Sequence, residues 1–329
     1  MNSTNSRFQR IVTHSDFDGV VSASLVSFAL GINFIVFTQP RLIAEARISL
    51  TEKDIVCDLP YPLVCGMWFD HHEGNLEDLI YRKIDPSLVP GRFSVKDSCA
   101  RVIFEHYADV AFPPHMAQLV DEADIIDAFN YKSIEEWRRE TPARIVDSTI
   151  KVKEESAEAK WEYLRQLVRH MQDHPLEEIA QMPSVKKRYR LYQQEEERMI
   201  EQIKDEISFL PEDTEHRVMI IDLTRHNRRP NLIKHLAYLV YPQAEAVLQV
   251  ANLYEDQVKT NNLSFSMSLS LNMNQVEHHK NLGEIMRILN LGSGHPGAAA
   301  GMLACSSKEE MLKNKDRLLR EIFNLYCSQ

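Results

Sequence analysis

Apolar and polar positions change their spacing along this chain, and the changes divide it. Over the first 70 residues short apolar runs alternate with helical patterns. Residues 10–13 lead into an apolar stretch that stops at His14-Ser15-Asp16-Phe17-Asp18-Gly19. A helical pattern follows over 20–30, then a β-rich run over 32–38. A short strand at 54–57 ends at Asp58, and a run over 64–69 ends at Asp70-His71-His72. Strands alternating with helices predict a parallel α/β sheet, whose ligands gather beyond the carboxyl ends of the strands. Each polar cluster here falls at such an end, so one edge of the sheet should collect them.

Residues 100–127 read as helical, interrupted at Pro113-Pro114. The second helix begins near His115 and carries Leu119, Val120, Ala123 and Ile126 on its apolar side. From about 148 to 210 the chain is rich in Glu, Lys, Arg and Gln and carries no strand signal. Tyr192, Met199, Ile200, Ile203, Ile207 and Leu210 recur at helical spacing, and Pro211 closes the run. This predicts long helices joining two domains, serving either that span or dimerisation; clean heptads are too few to favour a coiled coil. A new α/β pattern opens at 218–221, continues through strands at 246–251 and 263–271 and a helix at 281–289, and reaches a glycine-rich stretch at 292–301. The expected division is an N-terminal domain over 1–150, a helical connector over 151–212 and a C-terminal domain over 213–329. The expected fold class is two-domain α/β, an N-terminal parallel-sheet domain and a smaller C-terminal α/β domain.

Length agrees with that division, because 329 residues exceed one ordinary compact core. With 44% apolar and 26% charged residues the composition is that of a soluble protein. A net charge of −10 speaks against a coat for long nucleic acid and leaves room for a small phosphorylated substrate held at a metal-rich site. Five cysteines without CxxC spacing (Cys57, Cys65, Cys99, Cys305 and Cys327) suit a reducing compartment, as small buried apolar groups. The opening MNSTNSRFQR has no apolar stretch of signal-peptide length, and no run approaches the ~20 apolar residues of a membrane span. The expectation is a cytoplasmic protein with no membrane partner.

Four groups of residues could do chemistry. His14-x-Asp16-x-Asp18 places an imidazole and two carboxylates together at a strand end, either a half-site for a divalent metal or a set of helix caps. Gly19 lets the backbone turn sharply there. Asp70-His71-His72-Glu73 puts two imidazoles among acids after a buried strand. Consecutive side chains of an extended backbone diverge, so one imidazole would ligate and the other face the substrate. Asp58 ends an apolar strand, where a carboxylate is costly to bury unless it is paired or ligating. Asp121-x-x-Asp124-x-x-Asp127 sets three like charges along a helix, either around a cation or on a solvated face.

With these residues the sequence resembles the DHH phosphoesterase superfamily, named for the triplet present here as Asp70-His71-His72. The superfamily includes RecJ exonuclease, nano-RNases, pAp phosphatases, cyclic-dinucleotide phosphodiesterases, exopolyphosphatases and family-II inorganic pyrophosphatases. The stretch Gly292-Ser293-Gly294-His295-Pro296-Gly297-Ala298-Ala299-Ala300-Gly301 is similar to the GGGHxxAAG motif of the DHH-associated C-terminal domain. The matches lie towards both ends of the chain in the right order. The resemblance implies one metal held by His14, Asp16 and Asp58, and a second by Asp18, Asp58, His71 and an acid near Asp124. Asp58 would bridge the two. For the helical acid Asp124 is the first choice and Asp127 the second, with Asp121 in the same window. His72 would contact the scissile phosphate and Asp70 orient the neighbouring imidazole. Ser293 departs from the motif by replacing a glycine, and Ala300 stands where its last glycine is expected. Many relatives carry an arginine in the strand before the motif, whereas residues 264–270 contain no basic residue. Arg225, His226, Arg228 and Arg229 are candidates to substitute, or simply form an exposed basic loop.

What the resemblance implies is hydrolysis of short oligonucleotides or linear dinucleotides to 5′-mononucleotides by a two-metal mechanism. Mixed imidazole and carboxylate ligands suit two Mn²⁺ ions, with Mg²⁺ or Co²⁺ as substitutes. The second domain would close over the substrate, with Gly292, Ser293 and Gly294 in a glycine-rich loop offering backbone N–H groups to phosphate or base and His295 meeting the reacting end. The alternatives are an exopolyphosphatase or pyrophosphatase, and, from another class, a nucleotide-binding sensor without activity.

Overall fold

In the computed structural model residues 7–153, 156–228, 230–255 and 258–329 are described. Strands β1 (Arg10–His14), β2 (Ile35–Thr38), β3 (Asp54–Cys57), β4 (Met67–Asp70) and β5 (Gly91–Phe93) form one sheet. All its pairings are parallel and its order is β2-β1-β3-β4-β5. Strand β3 is buried at every position, hence its unbroken apolar reading. Its one charge, Asp54, sits in register with Arg10 and accepts from the guanidinium at 2.7 Å. Chain order reverses direction between β1 and β3, and the crevice at such a switch point is where open α/β sheets bind ligands.

Between β1 and β2 runs the helix Phe17–Leu30, capped by Asp16 and closed by Gly31 in the left-handed region. It starts before the predicted 20–30 because the Asp16 carboxylate accepts from the backbone of Gly19. Most of this helix is buried, and its side chains meet the helices Cys99–His106, Pro114–Asp127 and Ala157–Asp173 in one apolar core. Several elements went unread in the sequence, among them the helices Pro40–Ala44, Glu73–Tyr81, Ile134–Arg138 and Lys308–Ser328 and the three-residue edge strand β5.

The chain divides into two compact units, residues 1–131 with 139–193 and residues 132–138 with 194–329. Tyr163, Leu164, Leu167, Val168 and Met171, from the charged middle stretch, belong to the apolar core of the first unit. The predicted long helix is present as Pro183–Glu206, but it ends before Ile207 and Leu210. Residues Ile207–Ser208 instead form strand β6, antiparallel to β7 (Val218–Asp222), with Ile207 opposite Ile221. A strand is therefore present where none was expected, because pairing overrode the helical spacing.

The second unit adds β8 (Ala246–Glu255), β9 (Val258–Leu269), β10 (Gly292–His295) and β11 (Ala298–Leu303), in the order β10-β11-β9-β8-β7-β6. Only the β7–β8 pairing is parallel. One face of this sheet packs Leu248, Phe265, Met267 and Ala299 against the helices Leu282–Ile288 and Lys308–Ser328. The glycine-rich stretch is thus a β-hairpin rather than a loop. Gly294 lies where the helix comes closest: a Cβ on Gly283 would sit 2.2 Å from the Gly294 carbonyl oxygen. Those glycines admit a helix, and much of the hairpin's backbone is engaged in strand pairing instead of cradling an anion. Among the described residues no helix is long and apolar enough to cross a membrane.

Candidate metal centre

Three adjacent parallel strands, β1, β3 and β4, deliver their carboxyl ends to one place. Strand β1 ends at His14, and the turn into the following helix carries Asp16 and Asp18. Gly19 is required in that turn, since a Cβ there would meet the His14 carbonyl oxygen at 2.2 Å. Strand β3 ends before Asp58, and β4 delivers Asp70, His71 and His72. A helix contributes the remaining acid, Asp127, from its last residue.

These side chains converge in three overlapping groups, each with candidate ligand atoms within 4.8 Å of one another: His14, Asp16 and Asp58; Asp18, His71 and Asp127; and Asp58, His71 and His72. His14 Nδ1 lies 2.6 Å from Asp16 Oδ2 and 3.5 Å from Asp58 Oδ2. His71 Nε2 lies 3.2 Å from Asp127 Oδ2, 3.6 Å from Asp58 Oδ1 and 3.8 Å from Asp18 Oδ2. Asp58 stands between the two histidines, one oxygen towards each.

Asp58 departs from ordinary geometry in two ways. Its φ is +56°, in the left-handed region that costs a residue with a Cβ roughly 1–3 kcal/mol. Both its carboxylate oxygens are also buried without a hydrogen-bond partner, as is Nε2 of His71. Buried polar atoms left unsatisfied are rare because they forfeit their hydration. Here the orphaned atoms face each other at distances too long for hydrogen bonds, with oxygen and nitrogen lone pairs as donors to a cation. The residues fit a divalent metal centre.

Charge tells the same story. Burial and the nearby Asp58 carboxylate push Asp18 up to about 8, and burial with Asp18 and Asp58 raises Asp127 well above the carboxylate range. Burial opposes protonation of His14, yet Asp16 and Asp58 carry it up to about 11; Asp58, Asp18 and Asp127 do the same for His71. Burial would raise Asp58, but the His14 and His71 imidazoles hold it below the usual range. Left to themselves these groups balance charge by sharing protons, a role a divalent cation fills.

Several supports are fixed by hydrogen bonds. Asp18 accepts from the backbone N–H groups of Cys99 and Ala100 at 2.7 and 2.8 Å, at the N-terminus of the helix Cys99–His106. His71 Nδ1 lies 2.9 Å from the Lys96 carbonyl oxygen, which leaves Nε2 directed at the acids. His72 Nδ1 lies 2.9 Å from Asp70 Oδ1, and the other Asp70 oxygen accepts from Asn75 at 2.7 Å. The imidazole beside Asp70 is therefore that of His72. Neither Lys96 nor Asn75 was signalled by the sequence, the first acting through its backbone and the second across a helical turn.

Two expectations are corrected. The imidazoles of His71 and His72 do not diverge: their ring centroids lie 4.1 Å apart, because His72 is already the N-cap of a helix. His72 stays half exposed while His71 is buried. The order of preference among the helical acids reverses. Asp124 accepts from Ser98 at 2.6 Å and from Arg101 Nε at 2.8 Å, while Asp121 pairs with the same arginine. Spacing of three drifts by about 60° per step around a helix of 3.6 residues per turn, so Asp127 points away from Asp121. Asp127 alone of the three reaches His71.

The residues expected to bind substrate in the second unit fall into two groups. Ser293 and His295 are exposed on β10, with Gly294 between them. Arg225 pairs with Glu206 at 2.8 Å and borders a polar cavity of about 590 Å³ with Asn252, Lys259 and Lys315. His226 also engages Glu206, at 2.7 Å. Arg229 lies outside the described residues.

No family model matches the chain, and no curated protein does. Solved structures do. A structure described as the pGpG-specific phosphodiesterase PggH from Vibrio cholerae is 24% identical, with 96% of this chain and 99% of that one covered and a TM-score of 0.66. A DHH-domain structure, described as a member of the s1p family of ribosomal proteins, is 12% identical over 97% of this chain and 86% of that one, TM-score 0.56. The exonuclease RecJ bound to manganese is 13% identical over 95% and 89%, TM-score 0.47.

Proposed function

From the premise that this chain has the two-domain fold of DHH proteins, we propose that it is a metal-dependent phosphodiesterase that cleaves short oligonucleotides or linear dinucleotides to 5′-mononucleotides. The observation that carries this reading is Asp58, a strained and buried carboxylate whose unpartnered oxygens face an imidazole on each side. Strain of this kind persists only where its surroundings enforce it, and it clusters at functional sites. His14, Asp16 and Asp58 would hold one cation, and Asp18, His71 and Asp127 a second, with Asp58 shared. The mixture of imidazole and carboxylate suits Mn²⁺, with Mg²⁺ or Co²⁺ able to replace it. Such a pair of ions, when bound, neutralises the phosphate and activates the attacking water.

The chain's own groups supply orientation. His72 is exposed enough to meet a phosphate oxygen, and Asp70 with Asn75 holds its ring in place, so its Nε2 is the atom offered to substrate. Asp127 replaces Asp124 as the helical ligand. His295 and Ser293 offer exposed polar groups for substrate recognition. A dinucleotide is favoured over a long strand by the net charge of −10, and the likeness to the pGpG-specific enzyme agrees.

The test is release of mononucleotide from 5′-phosphorylated dinucleotides with Mn²⁺, run beside polyphosphate under the same conditions. Cleavage of the dinucleotide that EDTA abolishes is the expected result. Phosphate release from polyphosphate alone would replace this reading with an exopolyphosphatase, and silence on both would point to a sensor.

A further inference from the structure

Register divides the side chains of the C-terminal sheet between two faces. Ile220 of β7, Val250 of β8 and Phe265 of β9 belong to the core packed against the helix Lys308–Ser328. Alternation puts Asp222 and Asn252, each two residues further along its strand, on that same helix-covered face. Ser266, Ser293 and His295 share the other face, which is open towards β10. The hairpin also occupies a different stretch of the sheet. Through β11, β9 and β8, Gly292 aligns with Asp222 and His295 with Met219, so Asn252 lies two positions beyond the hairpin's register.

At that far end, on the helix side, is a cavity of about 590 Å³. Four cations line it, Arg225, Lys259, Lys308 and Lys315, against one lining carboxylate, Asp222. Arg225 is paired with Glu206 and Lys315 with Asp222. Lys259 donates to the Thr224 carbonyl oxygen, and Lys308 is exposed at the first position of its helix. Neither of these two ammonium groups has a carboxylate partner among the described residues.

Asn252 makes the cavity more than a basic patch. It is only 3% exposed; its Nδ2 donates to the Thr260 carbonyl oxygen at 2.9 Å, while Oδ1 is buried with no hydrogen-bond partner. A buried acceptor without a donor forfeits its hydration, and this one belongs to a residue that lines the cavity. Met311 and Leu312 add apolar surface from the helix. The lining thus calls for an anion, a hydrogen-bond donor and an apolar body in one ligand. A nucleoside monophosphate carries all three, and the volume lies within the range of small-ligand pockets. Inorganic phosphate would leave the apolar wall bare, and an uncharged nucleoside would leave the ammonium groups unanswered.

We propose that this cavity is a nucleoside monophosphate site. It is formed wholly by the second unit, whereas the metal centre belongs to the first. It stands independently of the phosphodiesterase reading; where that reading holds, the site would take the class of product that the metal centre releases.

The test observes Met311 directly, by ¹³C-methyl methionine NMR of the full chain in EDTA, with the resonance assigned through Met311→Leu. The probes are AMP, GMP, adenosine and inorganic phosphate. AMP or GMP should shift the Met311 methyl saturably, with adenosine and phosphate weaker by about 10-fold or more, the scale of a hydrogen bond to a charged group. Lys308→Glu and Leu312→Glu alter exposed helix positions, and each should weaken the nucleotide about 10-fold. Asn252→Leu should weaken the nucleotide and leave phosphate unchanged. An unmoved Met311 methyl, phosphate binding as tightly as nucleotide, or unaltered affinity in both glutamate variants would overturn the site. Without added nucleotide, Lys308→Glu should keep wild-type turnover of a dinucleotide in Mn²⁺; lost turnover would overturn the separation from the metal centre. The two readings fail apart: nucleotide binding at Met311 without hydrolysis would refute the phosphodiesterase and keep the site, and hydrolysis with an unmoved Met311 methyl would do the reverse.

Discussion

The two sheets of this protein carry opposite electrostatic imbalances. At the edge of the N-terminal sheet Asp16, Asp18, Asp58 and Asp127 crowd around two imidazoles, with buried oxygens that have no donor. On the open face of the C-terminal sheet the Lys234 ammonium has no carboxylate partner among the described residues, and serine, alanine, Gln249 and one histidine share that face. One region has too many acceptors and the other an unmatched donor. Divalent cations would complete the first. The geometry differs as well: the acidic site is strained and tightly held, whereas the basic one is an open surface.

The sharpest way to break the comparison is at Asp58. Asp58→Ala should lower Mn²⁺-dependent turnover by more than about 10³-fold, as expected when a ligand shared by two ions is lost. Retained activity would remove Asp58 from the centre. Backbone strain can be read separately in stability: in EDTA Asp58→Gly, which tolerates the positive φ, should melt a few degrees above Asp58→Ala, since both lack the carboxylate. Equal midpoints would mean that the backbone at this position is not strained.

Next in size is the contrast between two acids one helical turn apart. Asp127→Asn should weaken Mn²⁺ binding and lower turnover by about 10²-fold, while Asp124→Asn should mainly reduce stability, through its lost partners Ser98 and Arg101. Equal loss of metal affinity in both variants would contradict the assignment. Asn75→Ala should cost about 10-fold in kcat by freeing Asp70 and hence His72, and an unchanged kcat would show that the orientation of His72 is immaterial. Smallest is His295→Ala, which should raise KM several-fold at constant kcat. Unchanged turnover of every substrate would remove His295 from recognition.

The acidic site was largely legible in the sequence and the basic one was not. His14, Asp16, Asp18, Asp58 and Asp70-His71-His72 each follow an apolar run that proved to be a strand, and in a parallel sheet strand ends share an edge. What remained hidden depends on contacts distant in sequence. Arg101, on another helix, claims Asp121 and Asp124 and leaves Asp127 to the centre. The left-handed backbone of Asp58 has no signature in an isolated strand end. The glycine-rich stretch read as a loop because composition is silent on the helix that its glycines admit. Lys234 carried no signal at all, since its meaning comes from packing beside Ser266, 32 residues away.

The account's central claim is that the acidic cluster is a two-cation centre. The most direct test is Mn²⁺ titration of EDTA-stripped protein, read as stoichiometry by calorimetry, with Asp58→Ala beside the wild-type chain. The account predicts two ions per wild-type chain and loss of tight binding at both sites in Asp58→Ala. Failure of the wild-type chain to bind Mn²⁺, or identical binding by the variant, would contradict it.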